Sequence, residues 1–103
     1  MVNYQIFFTT QADKDKKLIK QAGLENKARE LLKIVANNPF QNPPPYEKLV
    51  GNLSQYYSRR INMQHRLVYE VIDNSKNAKD TCGNLFKGYI KIIRMWTHYN
   101  NIR

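Results

Sequence analysis

Gln55-Tyr56-Tyr57-Ser58-Arg59-Arg60-Ile61 and His65-Arg66-Leu67-Val68-Tyr69-Glu70-Val71-Ile72 are separated only by Asn62-Met63-Gln64, and the fold turns on this stretch. Both runs are rich in aromatic and β-branched residues, so they read as two antiparallel strands around a tight turn. A three-residue turn makes Ile61 face His65, Arg60 face Arg66 and Tyr56 face Glu70. Two arginines directly opposite each other repel. Either an anion lies between them, which the forked guanidinium suits, or one arginine pairs with Glu70 or turns to solvent. A turn of two or four residues moves every one of these pairs.

Upstream of the hairpin, residues 39–45 hold all four prolines of the chain. Pro43-Pro44-Pro45 reads as an extended, stiff spacer that delivers Tyr46-Glu47-Lys48-Leu49 to a defined place. Before it, Leu24, Ala28, Leu31, Leu32 and Val35 share one helical face, and Asn37-Asn38-Pro39 ends that helix. Earlier still, Tyr4 to Thr9 reads as a strand. A helix follows to about Ala22, with Thr10 as its cap, Asp13 three positions on, and Gly23 as its stop. The two helices form a hairpin whose outer face is basic: Lys16, Lys17, Lys20, Lys27, Arg29 and Lys33. Downstream, residues 73–88 are polar and read as a long loop. Tyr89 to His98 reads as the last strand, and its apolar run from Ile90 to Trp96 predicts an interior place in the sheet. The expected fold is α+β in the order β-α-α-β-β-β. Two helices pack on one face of a largely antiparallel four-stranded sheet, with residues 1–103 forming one domain.

The chain has 103 residues, with 17 Lys and Arg against 8 Asp and Glu, a formal net charge of +9. That length suits one domain rather than two. A hydrophobic content of 42% excludes a disordered polycation. The apolar stretches are far too short to span a bilayer, and Met1-Val2-Asn3-Tyr4-Gln5 has none of the features of a signal peptide. Cys82 is the lone cysteine, so no internal disulfide forms, and a reducing, cytoplasmic setting is expected. Cys82, His65 and His98 are too few for a structural zinc site. The charge by itself points to a polyanionic partner such as RNA, DNA, an acidic protein or an anionic membrane surface, or else to a merely soluble basic surface. No membrane partner is expected.

Several side chains have the chemistry for RNA cleavage. Glu47 follows the proline segment, although an isolated Glu is commonly a solvated charge. His98 shares a strand face with Trp96, Arg94 and Ile92 by period two. His65, at the turn, reads as a surface residue. Tyr46, Tyr56, Tyr57 and Tyr99 either stack on bases or pack in the sheet, and packing is favoured for Tyr69 and Tyr89. A carboxylate, arginines and an imidazole are the set that self-cleavage of RNA needs. A base takes the 2′-OH proton, cations meet the phosphorane charge, and an acid protonates the 5′-oxygen. No cofactor is required. The same basic surface also fits a non-catalytic RNA- or ribosome-binding module.

Four motifs add a resemblance: Pro44-Pro45-Tyr46-Glu47-Lys48-Leu49, Tyr56-Tyr57-Ser58-Arg59-Arg60-Ile61-Asn62, His65-Arg66-Leu67-Val68-Tyr69 and Arg94-Met95-Trp96-Thr97-His98-Tyr99. Together, in this order, they resemble the YoeB/Txe branch of the RelE toxin superfamily. The resemblance implies a RelE-like fold and a ribosome-dependent mRNA interferase of a type II toxin–antitoxin system. It implies mRNA and the ribosome as partners and a cognate antitoxin of the YefM, Axe or Phd kind, and leaves homodimerisation open. By the same resemblance Glu47 is the general base, Arg66 stabilises the transition state and His98 is the general acid. Arg60 holds phosphate and Tyr99 helps position the RNA. Arg59 and Lys48 join them as substrate-binding candidates. A family lysine aligns with Val50 here, and Lys48 is the neighbouring cation. The 73–88 loop is longer than the family's hairpin, and Asn100 to Arg103 extend past the His-Tyr pair.

Overall fold

Strand β1 (Tyr4–Phe8) passes into helix α1 (Thr10–Gln21) through Thr9, whose hydroxyl accepts a hydrogen bond from the Ala12 amide at 3.0 Å. The cap is therefore Thr9, one residue before the expected Thr10. Thr9 keeps extended backbone while Thr10 already belongs to the helix. Asp13 lies in the first turn and pairs with Lys16 at 3.1 Å. Gly23 ends the helix with a φ of 75°, a conformation a side chain would strain. Helix α2 (Glu25–Asn37) buries Ala28, Leu31, Val35 and Ala36, which follows the apolar stripe in its sequence.

The computed structural model describes residues 3–51, 55–74, 83 and 85–96. Four further strands are β2 (Glu47–Lys48), β3 (Tyr56–Arg60), β4 (Arg66–Asp73) and β5 (Gly88–Arg94). They form one sheet with β1 in the order β1-β5-β4-β3-β2. The sheet thus has five strands where the sequence suggested four. The extra strand has only two residues, too few to show an alternation, and it exists through its ladder with β3. β1 pairs parallel with β5, and the other pairs are antiparallel. β5 lies inside the sheet, as its apolar run implied. Asp73 and Gly88 are register partners, so the strands extend into both ends of the expected loop. Gly88 is required there, because a Cβ would overlap the Ile72 carbonyl. The proline segment bends at Pro43 and Pro44 instead of running straight.

The stripe of α2 joins Ala12 and Ile19 of α1 against Ile61, Leu67, Tyr69, Ile90 and Ile92 of the sheet side. β5 ends at Arg94, short of the expected His98; Met95 and Trp96 bend away, and Met95 is buried in the same core. Alternation then turns Ser58, Arg60 and Arg66 to the sheet face opposite Leu67 and Tyr69.

Candidate active site

The β3–β4 turn has three residues, so Arg60 is the register partner of Arg66 and Tyr56 of Glu70. Asn62 holds the turn. Its side-chain oxygen accepts from the amides of Gln64 at 2.9 Å and His65 at 2.7 Å. The carboxylate beside Arg66 is Glu47, while Arg60 is exposed to solvent, so the anion reading and the solvent reading each hold for one arginine. Arg66 Nη1 lies 3.5 Å from Glu47 Oε2, and the Glu47 side chain is 55% exposed. An ion pair this long and this open is worth less than about 1 kcal/mol. Arg66 is therefore held near the carboxylate but can trade it for another anion at little cost.

Glu47, Arg60 and Arg66 line a cavity of about 820 Å³. The cavity also touches Ser58, the turn residues Asn62 and Met63, Pro44 and Pro45, and Lys27 and Leu31 of α2. Lys27, Ser58, Asn62 and Met63 were not singled out from sequence as site residues. Ser58 carried a usable signal, since it lies two residues before Arg60 on the same strand face.

Two substrate-binding candidates are corrected. Lys48 is the register partner of Tyr57, whereas Glu47 is that of Ser58, so the two neighbours point to opposite faces. Lys48 does not line the cavity. Arg59 is 1% exposed, and its guanidinium is already committed. It donates to Tyr69 Oη at 3.1 Å and to the carbonyls of Pro44 at 2.8 Å, Pro39 at 3.0 Å and Gln41 at 2.8 Å. Its Cζ also lies 5.0 Å from the Tyr46 ring centroid. Arg59 therefore fastens the proline segment that leads to Glu47, and is not placed to bind phosphate. Burial pushes the Tyr69 phenol up despite Arg59 beside it, so Tyr69 stays protonated and donates to the Pro39 carbonyl at 2.7 Å. Tyr46, Tyr57 and Tyr69 pack together, and Tyr89 packs on Phe7.

His65 is also corrected: it is 5% exposed rather than at the surface. Its ring stacks on Trp96 at 3.9 Å, and Nδ1 has no hydrogen-bond partner among the described residues. Burial holds its pKa below 6.5, opposed by the charge of Asp15. Asp15, which sequence reasoning passed over, is fully buried. It accepts from Arg94 Nε at 2.9 Å, the Met95 amide at 2.9 Å and Gln11 Nε2 at 3.2 Å. Burial alone would raise its carboxyl, but these bonds outweigh burial and hold it below the ordinary value. Asp15 and His65 together pin Arg94-Met95-Trp96, the last described residues before His98. His98 and Tyr99 lie outside the described residues, as does Cys82. Val50 is 84% exposed and does not line the cavity. Among the described residues no helix is long and apolar enough to cross a membrane.

The model of the "YoeB-like toxin of bacterial type II toxin-antitoxin system" family matches residues 6–82. A Toxin YoeB from Synechocystis is 48% identical over 59 residues, which is 57% of this chain and 62% of that protein. The alignment thus spans less than two thirds of that relative's length. Two Staphylococcus aureus structures cover more. A YoeB dimer is 35% identical with a TM-score of 0.69, covering 94% of this chain and 99% of that one. A YoeB-YefM complex is 36% identical with a TM-score of 0.68, covering 93% and 98%. The family match runs from β1 through β2 and the whole β3–β4 hairpin, and so includes Glu47, Arg60 and Arg66. The chain belongs to the YoeB-like toxin family of bacterial type II toxin–antitoxin systems.

Proposed function

We propose that this toxin is a ribosome-dependent mRNA interferase, an endoribonuclease that cuts mRNA in the ribosomal A site and arrests translation. One observation carries the reading: a carboxylate and a guanidinium 3.5 Å apart, lining a cavity with a second arginine opposite. Glu47 takes the proton of a 2′-hydroxyl, which then attacks the adjacent phosphorus. Arg66 passes from Glu47 to the phosphate and meets the charge that grows on its oxygens. Arg60 holds the same phosphate group. His98 gives a proton to the leaving 5′-oxygen, and Tyr99 positions the RNA; both roles rest on the sequence motif. One proton is taken and one returned, leaving a 2′,3′-cyclic phosphate and a 5′-hydroxyl. The remaining helical lysines serve as docking surface for ribosomal RNA.

The partners follow from the same reading. A YefM-like antitoxin with an acidic segment complements the +9 charge. A homodimer like that of the Staphylococcus aureus protein is part of the proposal, as is a cytoplasmic location beside translating ribosomes. The test is a translating extract with a defined mRNA, in which new 5′ ends are mapped by primer extension. Cuts should fall within A-site codons. Glu47→Ala, Arg66→Ala and His98→Ala should each slow cutting by about 10²–10⁴-fold. Arrest without new 5′ ends replaces the enzyme with a binding module. Full activity in His98→Ala removes His98 as the acid.

A further inference from the structure

β3 lies between β2 and β4, so the contact between Glu47 and Arg66 must reach across a whole strand. Neighbouring strands are about 4.8 Å apart, which puts the β2 and β4 backbones roughly 9.5 Å from each other. On that face the crossed strand carries Tyr56, Ser58 and Arg60, with Ser58 opposite Glu47 and Arg60 opposite Arg66. A small side chain is needed where the carboxylate leans over, and Ser58 supplies it. Alanine or glycine would fill that steric role as well. The hydroxyl is the unexplained part. Ser58 is 1% exposed, it lines the cavity, and its Oγ has no hydrogen-bond partner among the described residues. A buried polar atom left unsatisfied is costly, and proteins retain one mainly where it has a use.

We propose that Ser58 is a positioning residue for Glu47. Its hydroxyl is held in reserve in the free toxin and donates to the Glu47 carboxylate when substrate phosphate draws Arg66 away. The inference rests on the cleavage mechanism proposed above. In the free protein Arg66 restrains the carboxylate at 3.5 Å. At the moment of reaction the arginine must serve the phosphate, and the base would lose its restraint. Ser58, already its cross-strand neighbour, replaces the arginine without any backbone movement. Once Glu47 has taken the 2′-OH proton, the neutral carboxyl accepts more weakly, and the hydroxyl returns to its resting state.

The test compares wild type, Ser58→Ala, Glu47→Ala and the double variant in the ribosome cleavage assay, with urea unfolding of wild type and Ser58→Ala alongside. Ser58→Ala should lower kcat by about tenfold or more, the size of one hydrogen bond to a charged group, with KM unchanged. Its urea midpoint should stay level or rise, because alanine strands no hydroxyl. In the Glu47→Ala background, Ser58→Ala should cost nothing further, because it acts through the residue already removed. A lower urea midpoint with unchanged kcat makes Ser58 a packing residue and overturns the inference. A full additional loss in the Glu47→Ala background overturns it too. A wild type that makes no cuts defeats the cleavage mechanism itself. Normal cutting by both wild type and Ser58→Ala defeats only the role of Ser58.

Discussion

Replacing Arg59 by lysine keeps the charge and should still be among the most damaging single changes in the protein. Arg59 is 1% exposed and makes four hydrogen bonds, three of them to backbone carbonyls of residues 39–44. The fork works because a planar guanidinium presents donors in several directions at once. An ammonium on a shorter reach cannot span Tyr69, Pro39, Gln41 and Pro44 together. Lysine then leaves a buried cation poorly partnered, and stranded carbonyls cost about 1–3 kcal/mol apiece. Pro39 keeps the Tyr69 hydroxyl, so the carbonyls of Gln41 and Pro44 are the ones exposed to loss. The expected destabilisation is about 2–4 kcal/mol, a large share of the roughly 5–15 kcal/mol of a typical domain. The matching fall in Tm is about 10–20 °C. Arg59→Met strands the same carbonyls but buries no unpaired charge, so it should be no worse than Arg59→Lys. Urea unfolding followed by the fluorescence of Trp96, the single tryptophan, measures both. An Arg59→Lys protein as stable as wild type, or clearly more stable than Arg59→Met, refutes the reasoning.

Two other predictions concern the groups that pin the end of β5. His65 has a depressed pKa in the folded protein, so the unfolded chain takes up its proton first as pH falls. Stability should be level above pH 6.5 and decline as pH falls below it. His65→Phe keeps the stack on Trp96 and should flatten that decline in urea midpoints measured across the range. Asp15 also has a lowered pKa, so its contribution should vanish only in stronger acid, below its ordinary 3.8. Asp15→Ala strands Arg94 and the Met95 amide and should cost about 3–5 kcal/mol. The double variant with Arg94→Met should recover part of that loss, and strict additivity in the cycle would falsify the coupling.

Much of this was legible in the chain, and particular residues show why the rest was not. The hairpin register followed from two apolar runs and a three-residue gap, which placed Arg60 against Arg66 correctly. Period two was enough to separate Ser58 and Arg60 from Arg59, but the family likeness drew both arginines to the phosphate. The partners of Arg59 are carbonyls 15 to 20 residues away, and no local pattern announces them. Glu47 was located in sequence by the proline segment. That Arg66 reaches it, and not Glu70, depends on a two-residue strand too short to leave a signature. Asp15 looked like one more helical acid among lysines, because its burial is set by Met95 and Arg94 some 80 positions on.

The parallel pairing of β1 with β5 bears on when the molecule becomes itself. Tyr4 lies beside Gly88, so among the described residues β1 waits for β5 before it has a neighbour in the sheet. A chain emerging from its amino end can wind α1 and α2 and close the β3–β4 hairpin, which are local events. It cannot seal β1 to the rest, or engage Asp15 with Met95, until residues 88–95 have been made. Contacts this distant in sequence tend to slow folding toward the millisecond-to-second range. The pairing of β1 with β5 and the Asp15–Met95 contact therefore form in a late step, after residues 88–95 have been made.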